Sequence, residues 1–347
     1  MNWALIGYGG MGSWHVKQLQ TMPGTFTIAG VHDILPERNR AAEQKGLRAY
    51  DTLEALLSDS SVELVTIATP NDSHLPLAVA AMESGKHVIC EKPVALSTEE
   101  LERMIGVSRK TRRLLTVHQN RRWDEDFLIV KKLVRENTLG RVFNIDSRVQ
   151  GSRGVPGDWR NHKEHGGGMI LDWGVHLLDQ VLQLSDEPIV SVYCHTTHVT
   201  NDDVDDGFKT ILSFESGWTA EVEVGTSHFT SLPRWYVCGE NGTAVINDWK
   251  LDGKIVKVSD WEKRDAVPVV TAAGLTKTMA PRTDETVKTY PLPEVQSDVR
   301  DFYRNVGASI RGEAQPLVTH RQMLRVMKLM EALVSSAEHC EIIHQRI

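Results

Sequence analysis

Cysteine is scarce: the chain has four in 347 residues, Cys90, Cys194, Cys238 and Cys340, and none sits in a CxxC pair. Such spacing gives no disulfide framework and no zinc ribbon, and four isolated thiols fit a reducing compartment. Long apolar runs are missing too. No stretch approaches the roughly 20 residues that span a bilayer. The start, Met1-Asn2-Trp3-Ala4-Leu5-Ile6-Gly7, is not a basic leader with an apolar core. The expectation is a cytoplasmic protein with no membrane partner. There is no basic excess: 39 Lys and Arg face 46 Asp and Glu, mixed along the chain, for a net charge of -7. That argues against nucleic acid as a partner, because phosphate backbones demand concentrated cations. What is present is ordinary for a globular enzyme, with 41% hydrophobic and 24% charged residues. The length suits two domains whose cores need no staple.

The first third alternates strand and helix patterns. Trp3 to Ile6, Phe26 to His32, Val62 to Ala68, Lys86 to Cys90 and Leu114 to His118 read as strands. Helices are expected from Ser13 to Thr21, from Pro36 to about Lys45, from Ser73 to Ser84, and after Ser97-Thr98-Glu99-Glu100. This alternation predicts a parallel sheet with right-handed crossovers. Gly7-Tyr8-Gly9-Gly10-Met11-Gly12 stands between the first strand and helix. Gly7 permits the tight turn, Gly9 lets a pyrophosphate approach the backbone, and Gly12 lets the helix pack on the sheet. Asp33 ends the second strand, placed to accept from ribose hydroxyls and to repel a 2'-phosphate, so NAD is favoured over NADP. Arg38 and Arg40 lie close enough to offset part of that repulsion.

Thr69-Pro70-Asn71-Asp72-Ser73-His74 follows the third strand, at the carboxyl edge of the sheet where a nicotinamide would lie. His74 reads as a structural side chain or a cofactor contact. Glu91-Lys92-Pro93 ends the next strand, so Lys92 is either a surface partner of Glu91 or a donor to the oxygen of a reacting hydroxyl. The richest stretch is His165-Gly166-Gly167-Gly168-Met169-Ile170-Leu171-Asp172-Trp173-Gly174-Val175-His176. Asp172 and His176 are four apart and share a face on a helix. A carboxylate there can orient an imidazole that removes a hydroxyl proton. The bland alternative is a helix-start Asp bonded to a buried His.

These motifs, with Asn120-Arg121-Arg122, Pro156-Gly157-Asp158-Trp159-Arg160 and Asp179, resemble the glucose–fructose oxidoreductase and inositol dehydrogenase family, Gfo/Idh/MocA. The resemblance implies a Rossmann domain over residues 1–122. It also implies an α+β domain with an open, mostly antiparallel sheet over 123–347, used for substrate binding and for homodimer or homotetramer assembly. It implies Lys92, Asp172 and His176 as catalytic residues, with His176 the general base, Asp172 its support and Lys92-Pro93 often a cis peptide. Cofactor contacts are expected from Gly7, Gly9, Gly10, Met11, Gly12, Asp33, Arg38, Thr69, Pro70, Asn71, His74, Glu91, Lys92 and Asn120. Substrate contacts are expected from Lys92, Arg121, Arg122, Trp159, Arg160, Asp172 and His176.

From Trp123 the pattern changes to one helix and then strands at Arg141 to Gln150, Val190 to Val199, Gly207 to Phe214, Trp218 to Gly225, Trp235 to Gly239 and Thr243 to Asn247, with tight reversals at Gly217 and Asn241-Gly242. Hairpins in series predict an antiparallel sheet. Asp202 to Asp206 holds four acids and reads as a solvated turn, since calcium loops need a different ligand spacing. The histidines show no zinc signature, and hydride transfer needs no metal. Ala266 to Tyr290 reads as a long loop, with Lys277 and Arg282 as candidate anion or sugar contacts. Glu294 to Arg311 and His320 to Ser336 are amphipathic helices. The leading expectation is NAD-dependent oxidation of a secondary hydroxyl on a cyclic polyol or sugar, with Trp159 and Trp173 available to stack on the ring. The rivals are a glycoside 3-dehydrogenase that retains NAD and a non-catalytic NAD sensor.

Overall fold

The computed structural model describes residues 1–263 and 265–347. The chain opens with β1 (Asn2–Ile6), α1 (Gly10–Gln20), β2 (Thr27–His32), α2 (Pro36–Glu43), α3 (Leu53–Ser58), β3 (Leu64–Ile67), α4 (His74–Glu83), β4 (His87–Cys90), α5 (Thr98–Thr111) and β5 (Leu115–Val117). The five strands are parallel in the order β2-β1-β3-β4-β5. Helices cover both faces of such a sheet, so its strands are apolar without alternation: Leu5, Leu64, Val65, Ile67, Val88 and Ile89 are all fully buried. The chain leaves β1 toward β2 on one side and returns to β3 on the other. The crevice at this switch, beyond the carboxyl ends of the strands, is where such sheets bind ligands. Local chemistry sets the helix ends. Ser97 caps α5 by accepting from the Glu100 amide, and Glu99 and Glu100 fill its first turn.

The chain continues with α6 (Glu125–Arg135), β6 (Val142–Gln150), α7 (Val175–Leu182), β7 (Ile189–Thr197), β8 (Gly207–Phe214), β9 (Thr219–Gly225), β10 (Trp235–Gly239), β11 (Gly242–Ile246), β12 (Gly253–Val258), β13 (Val269–Thr271), β14 (Gly274–Thr276), β15 (Val287–Tyr290), α8 (Arg300–Ile310) and α9 (His320–His339). Eight strands form a second sheet in the order β15-β12-β11-β10-β6-β9-β8-β7. Its pairs are antiparallel except β6 with β9, which run parallel. Alternate residues therefore point to opposite faces. One face packs Ile145, Trp235 and Val237 against Phe127, Ile129 and Leu133 of α6. The other carries Asp146, Arg148, Lys209, Glu221 and Glu223 in one ion-pair network, with Tyr193, Ile211 and Tyr236 exposed.

Helix α9 ties the two sheets together. A capping box of Thr319 and Gln322 starts it, and Met323, Val326, Met327, Leu329, Met330 and Leu333 bury one side. The hydroxyl of Thr98 donates to Glu331, and the Cys194 amide donates to the Ser336 hydroxyl. Among the described residues, no helix is long and apolar enough to cross a membrane.

Two local expectations need correction, and two short elements were not expected. Residues 266–290 are not a bare loop: β13 and β14 form a two-stranded ribbon, and β15 joins the edge of the large sheet. Strand β12 and the short helix α3 carried no readable period. Helix α8 starts at Arg300 rather than Glu294, because Pro291 and Pro293 keep the preceding chain extended and the Asp298 carboxylate accepts from the Arg300 amide.

Candidate active site

The first element of the site is the turn between β1 and α1. Gly7 is left-handed (φ 94), and a Cβ there would stand 2.5 Å from the Ala68 carbonyl oxygen. A Cβ at Gly12 would collide with the Gly7 carbonyl, so both glycines hold helix and sheet in close contact. Gly9 precedes α1 in an extended conformation, no side chain caps the helix, and no acid stands in its first turn. The first-turn amides of Gly10, Met11 and Gly12 lack helical partners. This backbone fits a pyrophosphate, which such amides and the helix dipole attract.

Asp33 is buried at the end of β2. Its carboxylate accepts from the Tyr8 amide (2.7 Å) and the Leu35 amide (2.9 Å), which joins the two loops at the crevice. The half-exposed guanidinium of Arg38 lies 3.3 Å from the same carboxylate and beside Gly9. Thr69 and Ser73 bond through their hydroxyls, and Asn71 donates across to the Gly166 carbonyl at 3.0 Å. His74 is fully buried, with one ring nitrogen 2.9 Å from the Pro93 carbonyl and the other 3.0 Å from that of Thr69. Burial lowers its pKa. It bridges the two loops that end β3 and β4, which is the structural role open to it in the sequence.

The Lys92-Pro93 peptide is cis, as the resemblance implied. Glu91 turns inward. One of its oxygens lies 2.7 Å from His15 Nε2 and 2.8 Å from His118 Nδ1, and His15 Nδ1 reaches the Tyr303 hydroxyl at 2.6 Å. Burial pushes the Glu91 carboxyl up, but His118 and His15 outweigh it and hold the group well below the usual range. The three ligand atoms lie together, yet both imidazoles converge on one oxygen at hydrogen-bond length, so the cluster is a buried carboxylate with two N–H donors. Residue order alone gives no hint of His15, His118 and Tyr303 as a group, since they come from α1, the end of β5 and α8.

Lys92 turns the other way. Its ammonium donates to the Asp172 carbonyl at 3.0 Å and to the Asp172 carboxylate at 2.9 Å. Arg160 Nε stands 3.2 Å from the other carboxylate oxygen. Burial raises the Asp172 pKa, but Lys92 and Arg160 override it and keep the group ionised. His176 is buried, and its Nδ1 has no hydrogen-bond partner among the described residues. Burial first, then Lys92 and Arg121, holds its pKa well below the ordinary imidazole value, so the ring is neutral near pH 7. The expected bond from Asp172 to His176 is not among the contacts of the described residues. Residues Ile170–Gly174 form a π-helical turn before α7, and the carboxylate serves Lys92 and Arg160 instead. The Lys92 ammonium that Asp172 holds is the charge that most depresses the His176 pKa after burial.

Arg121 pairs with Asp124 at 2.9 Å and lies 4.1 Å over the Trp173 ring, 5.3 Å from that of Trp249. Trp173 packs edge-on to His176 at 5.8 Å. The exposed Trp249, in the β11–β12 turn, was invisible as a neighbour of this group. Arg122, expected among the substrate contacts, is buried, forked onto Asp179 (2.6 and 2.7 Å), and also donates to Leu317 and Gln322. Its donors are consumed in joining α7 to the segment before α9. Trp159 is stacked by Arg160 at 4.5 Å. Asn120 buries a side-chain oxygen without a partner. Arg282 donates to the carbonyls of Asp260 and Lys263 and stacks on Trp261. The acidic run at Asp202 also differs from a solvated turn. Asp206 is buried and held by Thr197 and Thr200. Asp205 accepts from the amides of Met169 and Ile170, and burial pushes its pKa up to about 7.

Comparison with known proteins agrees with this geometry. A family model described as "Oxidoreductase family, NAD-binding Rossmann fold" matches residues 1–119, and the "GFO/IDH/MocA C-terminal domain" matches residues 127–245. The crystal structure of an NAD-binding protein from Listeria innocua superposes with a TM-score of 0.96 at 47% identity, covering 99% of both chains. An uncharacterised oxidoreductase of Escherichia coli, YdgJ, is 29% identical over 96% of each chain. The scyllo-inositol 2-dehydrogenase (NADP(+)) IolW of Bacillus subtilis is 28% identical over 96% of this chain and 93% of its own. The chain belongs to the Gfo/Idh/MocA family of NAD(P)-binding oxidoreductases.

Proposed function

We propose that the protein oxidises a secondary hydroxyl of a cyclic polyol or sugar, reversibly, with Lys92, Asp172 and His176 as its catalytic group. The observation that carries this reading is a buried His176 kept neutral by its surroundings, beside a lysine fixed by a carboxylate. A neutral imidazole can take the hydroxyl proton. The Lys92 ammonium stabilises the negative charge that grows on the oxygen. Asp172 holds Lys92 in place and offers a carboxylate to a neighbouring hydroxyl. A nicotinamide cofactor held at the β1–α1 glycine turn would supply the hydride acceptor for the carbinol carbon. Arg121, Arg160 and Trp173 line the same space. Relatives named inositol dehydrogenases favour the polyol class, at 26–30% identity.

NAD is the proposed cofactor, with Asp33 receiving the ribose hydroxyls. Arg38, half exposed beside it, is the residue that would admit NADP. The outer face of the eight-stranded sheet, with Tyr193, Ile211 and Tyr236 exposed, is the proposed homodimer or homotetramer surface. The free cysteines suit a cytoplasmic protein.

The test is NADH or NADPH formation from a panel of inositols, pyranoses and glycosides. Turnover of a polyol or sugar with NAD is expected, and His176→Ala and Lys92→Ala should each lower kcat by about 10²–10⁴. Turnover untouched by both changes would refute the assigned chemistry. No released NADH from a protein purified with tightly held NAD would replace it with glycoside 3-oxidation and hydride return.

A further inference from the structure

We propose that Asp205, in the turn before β8, is a positioning residue whose carboxylate fixes the head of the helical segment carrying Asp172 and His176. The choice of reporter residues rests on the function proposed above. One Asp205 oxygen accepts from the Met169 amide at 2.9 Å and the Ile170 amide at 2.8 Å. The Asp205 carbonyl also accepts from the Met169 amide at 3.0 Å. These donors open the π-helical turn Ile170–Gly174, which runs directly into α7. A buried helix head needs partners for its first N–H groups, and a carboxylate is a strong one.

The surroundings are built for this contact. Gly168 is left-handed (φ 98), and a Cβ there would collide with the Asp205 carboxylate. At the other end of the turn, a Cβ on Gly174 would press on the Phe208 ring at 3.1 Å. Asp205 and Phe208 thus grip the segment at both ends from one stretch of chain. Between the grips lies Asp172, whose amide bonds back to the Gly168 carbonyl at 3.1 Å and whose carbonyl and carboxylate hold Lys92. Removing the carboxylate would strip the Ile170 amide of its acceptor and leave the Met169 amide on the Asp205 carbonyl alone, which would shift Asp172, and with it the Lys92 ammonium. Errors of about 1 Å at reacting groups can cost on the order of 10²-fold in rate.

The experiment compares Asp205→Ala and Asp205→Asn in the full chain with wild type. Amide hydrogen exchange over residues 169–176, without substrate, should rise about tenfold or more in the alanine variant. Exchange in β1 and α1 should not change. Asparagine, which keeps an acceptor oxygen, should restore most of the protection. With the substrate that wild type oxidises, kcat should fall about tenfold or more in the alanine variant while KM for NAD stays within about twofold. Asparagine should again recover activity. Unchanged exchange over 169–176 in a folded alanine variant, or an unchanged kcat, would overturn the proposal. If wild type oxidises nothing in the panel, the functional reading fails, and the exchange result alone decides the role of Asp205.

Discussion

Glu91 and Lys92 are adjacent in sequence and opposite in use. The glutamate turns into the protein toward His15 and His118, and the lysine turns out toward Asp172. Glu91→Gln would leave two buried donors sharing a neutral amide oxygen, and losing the charge-assisted part of those bonds costs about 1–3 kcal/mol. Urea denaturation should show that loss. For His176, the depressed pKa means that the imidazole stays neutral where an ordinary histidine would charge. The kcat for oxidation should therefore hold level as pH falls from 8 to about 6.5. A half-maximal rate near 6.5 would mean an ordinary imidazole. The motif residues of this group were legible because each stands at the end of a strand or on a helix whose period shows. Their partners were not: His118, Asp205 and His15 meet them across 27, 36 and 76 residues, and Arg160 pairs with Asp172 from a separate turn, which no local spacing encodes.

At the scale of elements, the β1–α1 turn was readable because its glycines are forced by backbone geometry. Gly7→Ala would place a Cβ against the Ala68 carbonyl in a left-handed residue. NADH affinity, measured by fluorescence titration, should fall at least about tenfold, or roughly 1.4 kcal/mol. The Asp202 turn misled because four acids in five residues look solvated, while burial and backbone donors claim two of them. This has a consequence for stability. Burial raises the Asp205 pKa to about 7, above its unfolded value. A raised acid contributes stability at low pH and loses it as pH climbs through the folded value. Wild type should therefore lose stability relative to Asp205→Asn between about pH 4 and 7. Denaturation at pH 5 and pH 8 should show the difference moving toward the asparagine variant. The π-helical turn before α7 was equally hidden, since its residues carry the same apolar spacing as an α-helix.

Across the whole molecule, the alternation of strand and helix and the later run of hairpins predicted two sheets of different type. The parallel β6–β9 pair and the edge strand β15 escaped because they depend on long connections rather than on turn residues. Helix α9 bonds to both halves of the chain, to Thr98 at the head of α5 and to Cys194 in β7. If the outer sheet face joins copies, Ile211→Glu should lower the sedimentation mass to that of one chain, while an unchanged assembly would move the interface elsewhere. The central claim is hydride transfer from a carbinol carbon. Its most direct test uses the active polyol, deuterated at its carbinol carbons, and mass analysis of the reduced cofactor. Deuterium in the NADH, with a slowed kcat, is the expected result. Turnover that leaves the NADH free of deuterium would contradict the account.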